Sequence, residues 1–567
     1  MSGLSEEVLE AISHARSLPG VPLTEPMVPY SSIAELFARH ADRLEDAPFL
    51  IFYGDEGPRI EYSYREFYEE ACKTANFLTA AGIAPGDRIA TVSTNHADVV
   101  IQYFAAFLLG AVVVPINVGE DDARIRYVIQ NSGVSLAFVR TKFLERVARI
   151  QKDAPGLRTI VQVGQKVDPR LPHFQTELSK QPTIFRPSSP NLLRNEALIV
   201  YTSGTTGHPK GVVLDQYNLL VDAMAIAEWH RLSVDQRMMC VLPLHHVNGV
   251  VVTLMTPLYA GGAIVLNERF HPDKFFERIS AERVAVVSVV PTLLKFLLHS
   301  GLSMEAYKLA SFRHIICGAG PLTVDLAMKF EQMFKIPIIH GYGLSETTCY
   351  SSFLPIDLPP ADHRRWLSQF GFPSIGVPLS INEMGIQDES GRELDEGEKG
   401  EIVMRGHNVM KCYYQEPEVN RETFAGGWFH SGDEGFFRFD EQGRKFFFIT
   451  GRIKEIIIRG GANISPFEID EVLMTMPGIQ AGIAVGFENE WYGEEVGAYV
   501  KVKDDMVISE EQVLAHCRRH LPFAKSPKVV VIGDDVPVTS TGKYQRNRCK
   551  ELFAKWKTVQ FTEPARH

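Results

Sequence analysis

A chain of 567 residues exceeds one ordinary domain and is long enough to bury large cores. Its 45% hydrophobic and 22% charged residues are typical of a soluble globular protein, and a net charge of −11 argues against nucleic acid or an anionic membrane as the main partner. The seven cysteines are scattered without a Cys-x-x-Cys pair, which argues against a disulfide framework or a zinc ribbon and for a reducing cytoplasm.

Met1 to Ser17 carries acidic residues and no long apolar core, so no signal peptide is expected, and Ala565-Arg566-His567 is not a peroxisomal tripeptide. Up to about Pro190, helical and strand patterns alternate. Tyr64 to Ala81 has apolar residues at helical spacing, broken by Gly82 to Gly86. Arg88 to Val92 reads as a strand, Ala97 to Leu109 as a helix and Ala111 to Ile116 as a buried strand. This alternation predicts mostly parallel sheet flanked by helices. Next, Leu198-Ile199-Val200 empties into Thr202 to Gly211, which carries three glycines, four hydroxyls and a lysine. Such a loop has little apolar surface to bury. It has instead what a polyphosphate binds: backbone N–H groups made approachable by glycine, hydroxyl donors and one cation. The Walker A spacing is absent.

Met238 to Asn267 carries no formal charge, but Pro243, His245-His246, Pro257 and Gly261-Gly262 interrupt it. It is read as buried strand, loop and helix rather than as a membrane span. The two histidines lie on a segment read as extended, hence pointing to opposite sides, and no Glu-x-x-His partner suggests zinc. Val284 to Val290, His314 to Cys317 and a run centred on Ile338-Ile339 read as strands. They end in Pro291, in Gly318-Ala319-Gly320-Pro321 and in His340-Gly341-Tyr342-Gly343, and ligands of open α/β sheets gather at such ends. From Gly376 the strands Glu401 to Arg405, Gly435 to Phe439 and Lys445 to Ile449 predict a small antiparallel or barrel-like module, about residues 376–450. Beyond Lys454 lies a compact tail with strands Ala481 to Gly486, Val496 to Val502 and Lys528 to Ile532. Ser465-Pro466-Phe467-Glu468 and Ser509-Glu510-Glu511-Gln512 each read as a capping box. The expected division is 1–453 and 454–567.

The string Tyr201-Thr202-Ser203-Gly204-Thr205-Thr206-Gly207-His208-Pro209-Lys210-Gly211 resembles the phosphate loop of the adenylate-forming superfamily, which includes acyl-CoA synthetases, luciferases and peptide-synthetase adenylation domains. The resemblance covers nearly the whole chain, with the landmarks in family order. It implies an α/β fold: a large N-terminal domain of flanked, mostly parallel sheets with the barrel-like module, and a small mobile α+β C-terminal domain. Gly341-Tyr342-Gly343-Leu344-Ser345-Glu346-Thr347 resembles the second family motif. It implies an aromatic ring (Tyr342) stacked on adenine, Mg²⁺ on Glu346 and an α-phosphate bond from Thr347. Gly318-Ala319-Gly320-Pro321 is similar to the adenine-edge loop, with His340 among the nucleotide contacts. Trp428-Phe429-His430-Ser431-Gly432-Asp433 resembles the ribose site, where Asp433 accepts from both sugar hydroxyls. Thr450-Gly451-Arg452-Ile453-Lys454-Glu455 resembles the hinge, with Arg452 near ribose and phosphate and Lys454 the pivot. Pro537-Val538-Thr539-Ser540-Thr541-Gly542-Lys543 resembles the C-terminal catalytic loop, with Lys543 bridging carboxylate and α-phosphate.

The resemblance implies an ATP-dependent carboxylate–CoA ligase using ATP, Mg²⁺ and coenzyme A, in which His246 walls and gates the acyl pocket. An amine or a carrier-protein thiol is the alternative acceptor, and a silent nucleotide-binding regulator is disfavoured because Lys210, Glu346, Asp433, Arg452 and Lys543 are all present. No nucleic acid and no integral membrane segment are expected, and the acid and the oligomeric state are not readable. Cys412 stands where relatives usually have glycine and is read as a small buried residue. The segment Cys349 to Pro373 is longer than usual. One reading has it cover the acyl pocket, with Arg364 or Arg365 meeting a polar group; the other makes it a surface excursion. The walls near His246, Asn248, Val290 and Gly318 read as mostly apolar.

Overall fold

The computed structural model describes residues 4–188, 190–202, 208–538 and 544–562. The expected phosphate contacts Ser203, Gly204, Thr205, Thr206 and Gly207, and the tail lysine Lys543, lie outside the described residues. Among those described, the strands form four sheets.

A seven-stranded sheet has a parallel interior, Glu196–Thr202, Val112–Ile116, Arg88–Val92, Leu136–Arg140 and Thr159–Val163 in spatial order. Its other edge adds Lys210–Asp215 and Cys412–Tyr413, both antiparallel. A nine-stranded sheet is likewise parallel through Pro48–Tyr53, Ala263–Asn267, Arg237–Cys240, Val284–Val289, His314–Cys317 and Ile338–Tyr342. Helices cover these sheets, as the β-α-β alternation requires. Ala97–Leu109 is buried on every side, the state expected of a helix without a polar face, and its side chains share one core with residues of both sheets. The uncharged stretch is strand, turn, π-helix (Asn248–Met255), short helix and strand, its buried residues divided between that core and a second one that holds Met239, Val241, Leu242 and Val265. Among the described residues no helix is long and apolar enough to cross a membrane.

The barrel-like module is a four-stranded antiparallel sheet, Asn382–Gln387, Gly400–Gly406, Phe429–Phe439 and Lys445–Arg452. The tail has a sheet of its own, with Ile479–Asn489 and Gly493–Val502 as its long hairpin, and two apolar cores separate from those of the preceding residues. Its helix Glu510–His520 carries the expected capping box at Ser509. At Ser465 that expectation fails. The hydroxyl donates to the Thr450 carbonyl and Glu468 pairs with Lys525 at 2.7 Å, so tertiary partners replace the local ones. Near the chain start Arg16 is buried, 2.6 Å from Asp215, and donates to the Val409 carbonyl at 3.2 Å.

Candidate active site

The glycine-rich stretch is flanked by two antiparallel strands. Thr202 ends one strand, Lys210 opens the next, and the two are paired opposite each other. The return side is anchored by His208, whose ring stacks on Tyr127 at 4.7 Å and 16°. Cys412–Tyr413 continues the sheet beside Lys210–Asp215, and this pairing brings Tyr413 next to the loop: Lys210 Nζ lies 5.4 Å from the centre of its ring. The Tyr413 hydroxyl donates to Glu346 Oε1 at 2.6 Å, and the Glu346 carbonyl accepts from Met410 N at 2.7 Å. Burial and the adjacent carboxylate push the Tyr413 phenol far up, so it stays a donor. Cys412 is buried, as expected of a packing residue.

A second constellation stands on the antiparallel module. Register places Asp433 directly across from Arg452. Asp433 Oδ1 is 2.9 Å from Arg452 Nε, and Oδ2 accepts from the Tyr342 hydroxyl at 2.7 Å. Each carboxylate oxygen retains acceptor capacity toward further hydroxyls. Asp433, foremost among the charges around it, raises the already high pKa of Arg452, so the guanidinium stays charged. Ala319, Gly320, Pro321, His340, Gly341, Tyr342, Gly343, Asp433 and Arg452 all line one cleft of about 160 Å³. His340 Nδ1 bonds the Ser374 carbonyl at 2.8 Å, and burial pulls its pKa down to about 4, so it is a neutral wall. Gly318 is outside that lining; a Cβ there would meet the Tyr350 hydroxyl at 2.5 Å, so its role is close packing.

A larger cavity of about 760 Å³ opens at the carboxyl ends of the parallel strands. Thr202, His246, Asn248, Val290, Ala319 and Gly343 line it, together with Val538, Gln545 and Arg548 from the tail. The tail loop that carries Lys543 is thus flanked by residues facing this cavity. The histidine pair departs from its reading. Residues 243–246 form a turn (His246 N to the Pro243 carbonyl, 3.2 Å), so both rings face the cavity with centres 4.3 Å apart. Burial pulls His245 down to about 4. A π-helix follows at once, a distortion frequent at functional sites. Within a wall that is mostly apolar, as expected, Ser288 donates to Asn248 Oδ1 at 2.9 Å, and Asn248 Nδ2 to the Tyr350 hydroxyl at 3.3 Å.

Two readings can be set against these cavities. The Thr347 hydroxyl folds back on Leu344, accepting from its N–H at 3.0 Å, and lines neither cavity; Ser345 lines the larger one instead. Its position beside Glu346 was the available signal. Of the segment 349–373, only Cys349 and Tyr350 reach the larger cavity. Its helix Pro360–Ser368 packs away from it: Trp366 stacks on Phe446 at 3.9 Å, and Arg365 lies over Trp366 and Phe370. Its helix thus does not cover the larger cavity, while Phe372 and Pro373 at the end of the segment line the smaller cleft. Sequence reasoning also missed Tyr413, which no motif flags. Lys454 is exposed on the short connection to the tail. Among the described residues no group of three or more His, Cys, Asp or Glu gathers to hold a metal. One carboxylate with hydroxyls nearby suits Mg²⁺, which is commonly held by one or two carboxylates and the substrate's phosphates.

A profile of the AMP-binding enzyme family matches residues 37–414, and one of the AMP-binding enzyme C-terminal domain matches residues 468–543. The chain is 32% identical over 528 residues to the sulfoacetate–CoA ligase of Cupriavidus necator, spanning 92% of this chain and 98% of that one. It is 31% identical over 491 residues to a feruloyl-CoA synthase of an Amycolatopsis species, spanning 87% and 94%. The crystal structure of ATP-bound MatB from Rhodopseudomonas palustris matches with a TM-score of 0.81 at 29% identity, over 92% of this chain and 99% of that one. With the family pattern running through both its large and its small parts, the chain belongs to the AMP-binding enzymes, the adenylate-forming superfamily, close to the acyl-CoA synthetases.

Proposed function

We propose that the protein activates a carboxylic acid with ATP as an acyl adenylate and then passes the acyl group to coenzyme A. The observation that carries this reading is the convergence on one cavity of Pro209 and Ser345, the chain neighbours of Lys210 and Glu346 in the Lys210–Tyr413–Glu346 cluster, with the strand-end loops and the tail. Relatives named for sulfoacetate, ferulate and oxalate join their acids to CoA, which supports CoA as the acceptor.

In the first step a carboxylate oxygen attacks the α-phosphorus, the bond to the β-phosphate oxygen breaks, and pyrophosphate leaves with the electron pair. The obstacle is one anion approaching a polyanion. Asp433, held by Arg452 and Tyr342, takes the ribose hydroxyls, and the strand-end wall of the smaller cleft, Ala319 to Pro321 and His340 to Gly343, takes adenine. Lys210 and the glycine-rich stretch, with Thr202, Ser203, Gly204, Thr205, Thr206 and Gly207, cradle the phosphates. Lys543 bridges the attacking carboxylate and the α-phosphate. Glu346, aimed by Tyr413, would hold Mg²⁺, with Ser345 rather than Thr347 as the neighbouring hydroxyl donor. That ion when bound supplies charge neutralisation at the phosphates. In the second step a CoA thiolate attacks the acyl carbon, AMP leaves with the C–O electron pair, and the thiol proton passes to solvent. His246 walls the acyl end. We assign the boundary to Lys454, because the cores on either side are separate, and the reducing cytoplasm to a chain whose seven cysteines are unpaired and buried.

The test is pyrophosphate release across a panel of carboxylic acids, with and without CoA, for the parent and Lys543→Ala. The variant is expected to lose about 10²–10³ in adenylation rate, the loss typical of one preorganised charge donor. An unchanged rate overturns the role of Lys543. Release that yields hydroxamate-trappable adenylate but no thioester overturns CoA as the acceptor.

A further inference from the structure

The tail meets the large domain at a second place, away from the cavity. Helix Val324–Phe334 of the large domain begins at Thr323, whose side chain caps Leu326 N, leaving Val324 N–H as one of the donors that a helix start cannot satisfy internally. The acceptor comes from the tail: Glu471 Oε1, on helix Pro466–Thr475, lies 3.3 Å from that nitrogen. Nothing in the proposed chemistry uses this carboxyl, yet it closes the wall of the smaller cleft beside Lys295, Leu322 and Met474.

We propose that Glu471 is a positioning residue: it docks the tail over the cavity through Val324 N–H, and the swing away is coupled to loss of its proton. This rests on the two-step reading above, in which the tail must leave its cavity-facing orientation before CoA reacts.

The surroundings set the direction. On its own helix stand Asp470, paired with Arg546, and Glu468, paired with Lys525. The facing helix contributes Asp325, whose Oδ2 holds Lys329 at 2.8 Å. Lys295 comes from the helix Pro291–His299. Burial first, then Asp470 and Asp325, oppose ionisation more than Val324 N–H and Lys295 favour it, and the carboxyl is pushed up to about 8. Undocked and hydrated, a glutamate ionises near its ordinary value of about 4.3. Docking therefore takes up a proton between these values. It is fully favoured below the undocked value and progressively lost as pH rises towards 8, by at most about tenfold per pH unit for one proton.

Tail orientation is read without any acid substrate, so this test and that of the ligase reading fail independently. Dyes placed at the exposed positions Met333→Cys on the large-domain helix and Val507→Cys on the tail report Förster transfer from pH 5.5 to 8.5. The parent is expected to shift from docked to undocked with rising pH. Glu471→Gln, which keeps the acceptor but cannot ionise, stays docked throughout, and Glu471→Ala is undocked even in acid. A flat parent profile overturns the proposal whether or not either variant folds, and so does a Gln variant that follows the parent. With an acid substrate in hand, Glu471→Gln at pH 7 slows transfer to CoA several-fold and spares adenylation; equal loss in both steps marks a merely structural residue and equally refutes the coupling.

Discussion

Replacing Tyr413 by phenylalanine isolates one hydrogen bond. The ring stays, so the burial of this side chain and its approach to Lys210 at 5.4 Å are preserved. What disappears is the hydroxyl that donates to Glu346 at 2.6 Å. A hydrogen bond to a charged partner contributes about 1.5–3 kcal/mol, and about 1.4 kcal/mol is a factor of ten. If that energy serves to aim Glu346, its loss lowers the adenylation rate by roughly 10- to 100-fold. Partial exposure of Glu346 places the expectation at the lower end, about tenfold. ATP–pyrophosphate exchange measured against Mg²⁺ concentration should show the loss as a raised magnesium requirement, with the melting temperature nearly unchanged. Combining the change with Glu346→Gln should add little, because both remove the same interaction. Parent-like exchange at every magnesium concentration, or full additivity in the double variant, would refute the claim that Tyr413 works through Glu346.

Two further changes probe the walls. Gly318→Ala puts a methyl 2.5 Å from the Tyr350 hydroxyl and 2.8 Å from the Gly341 carbonyl, an overpacking of about 1–3 kcal/mol. Denaturant melts should register it, and the KM for the acid should rise while that for ATP holds; a variant of full stability removes the packing argument. Trp366→Ala opens a gap against Phe446, stacked at 3.9 Å and 6°, and should cost about 3–5 kcal/mol. The ranking of acids should not change. A reordered ranking would restore the reading of 349–373 as a cover for the acyl pocket.

Local patterns carried much of the fold. Tyr64–Ala80, Arg88–Val92, Ala97–Leu109 and His314–Cys317 were legible because spacing and punctuation act within a few residues, and the capping box at Ser509 is wholly local. The glycine and hydroxyl loop, Glu346 and the Asp433 stretch were likewise visible, since short motifs hold their chemistry in adjacent positions. What sequence could not supply is anything decided across long separations. Arg16 finds Asp215 and Val409, Tyr413 finds Glu346, Ser465 abandons its helix cap for Thr450, and Glu471 meets Val324. Such polar groups are buried only where a partner is delivered, and packing of whole elements does the delivering. Thr347 and Ser345 show the same limit at close range. Both sit in the motif with hydroxyls, and only the turn at Leu344 determines which one reaches the cavity.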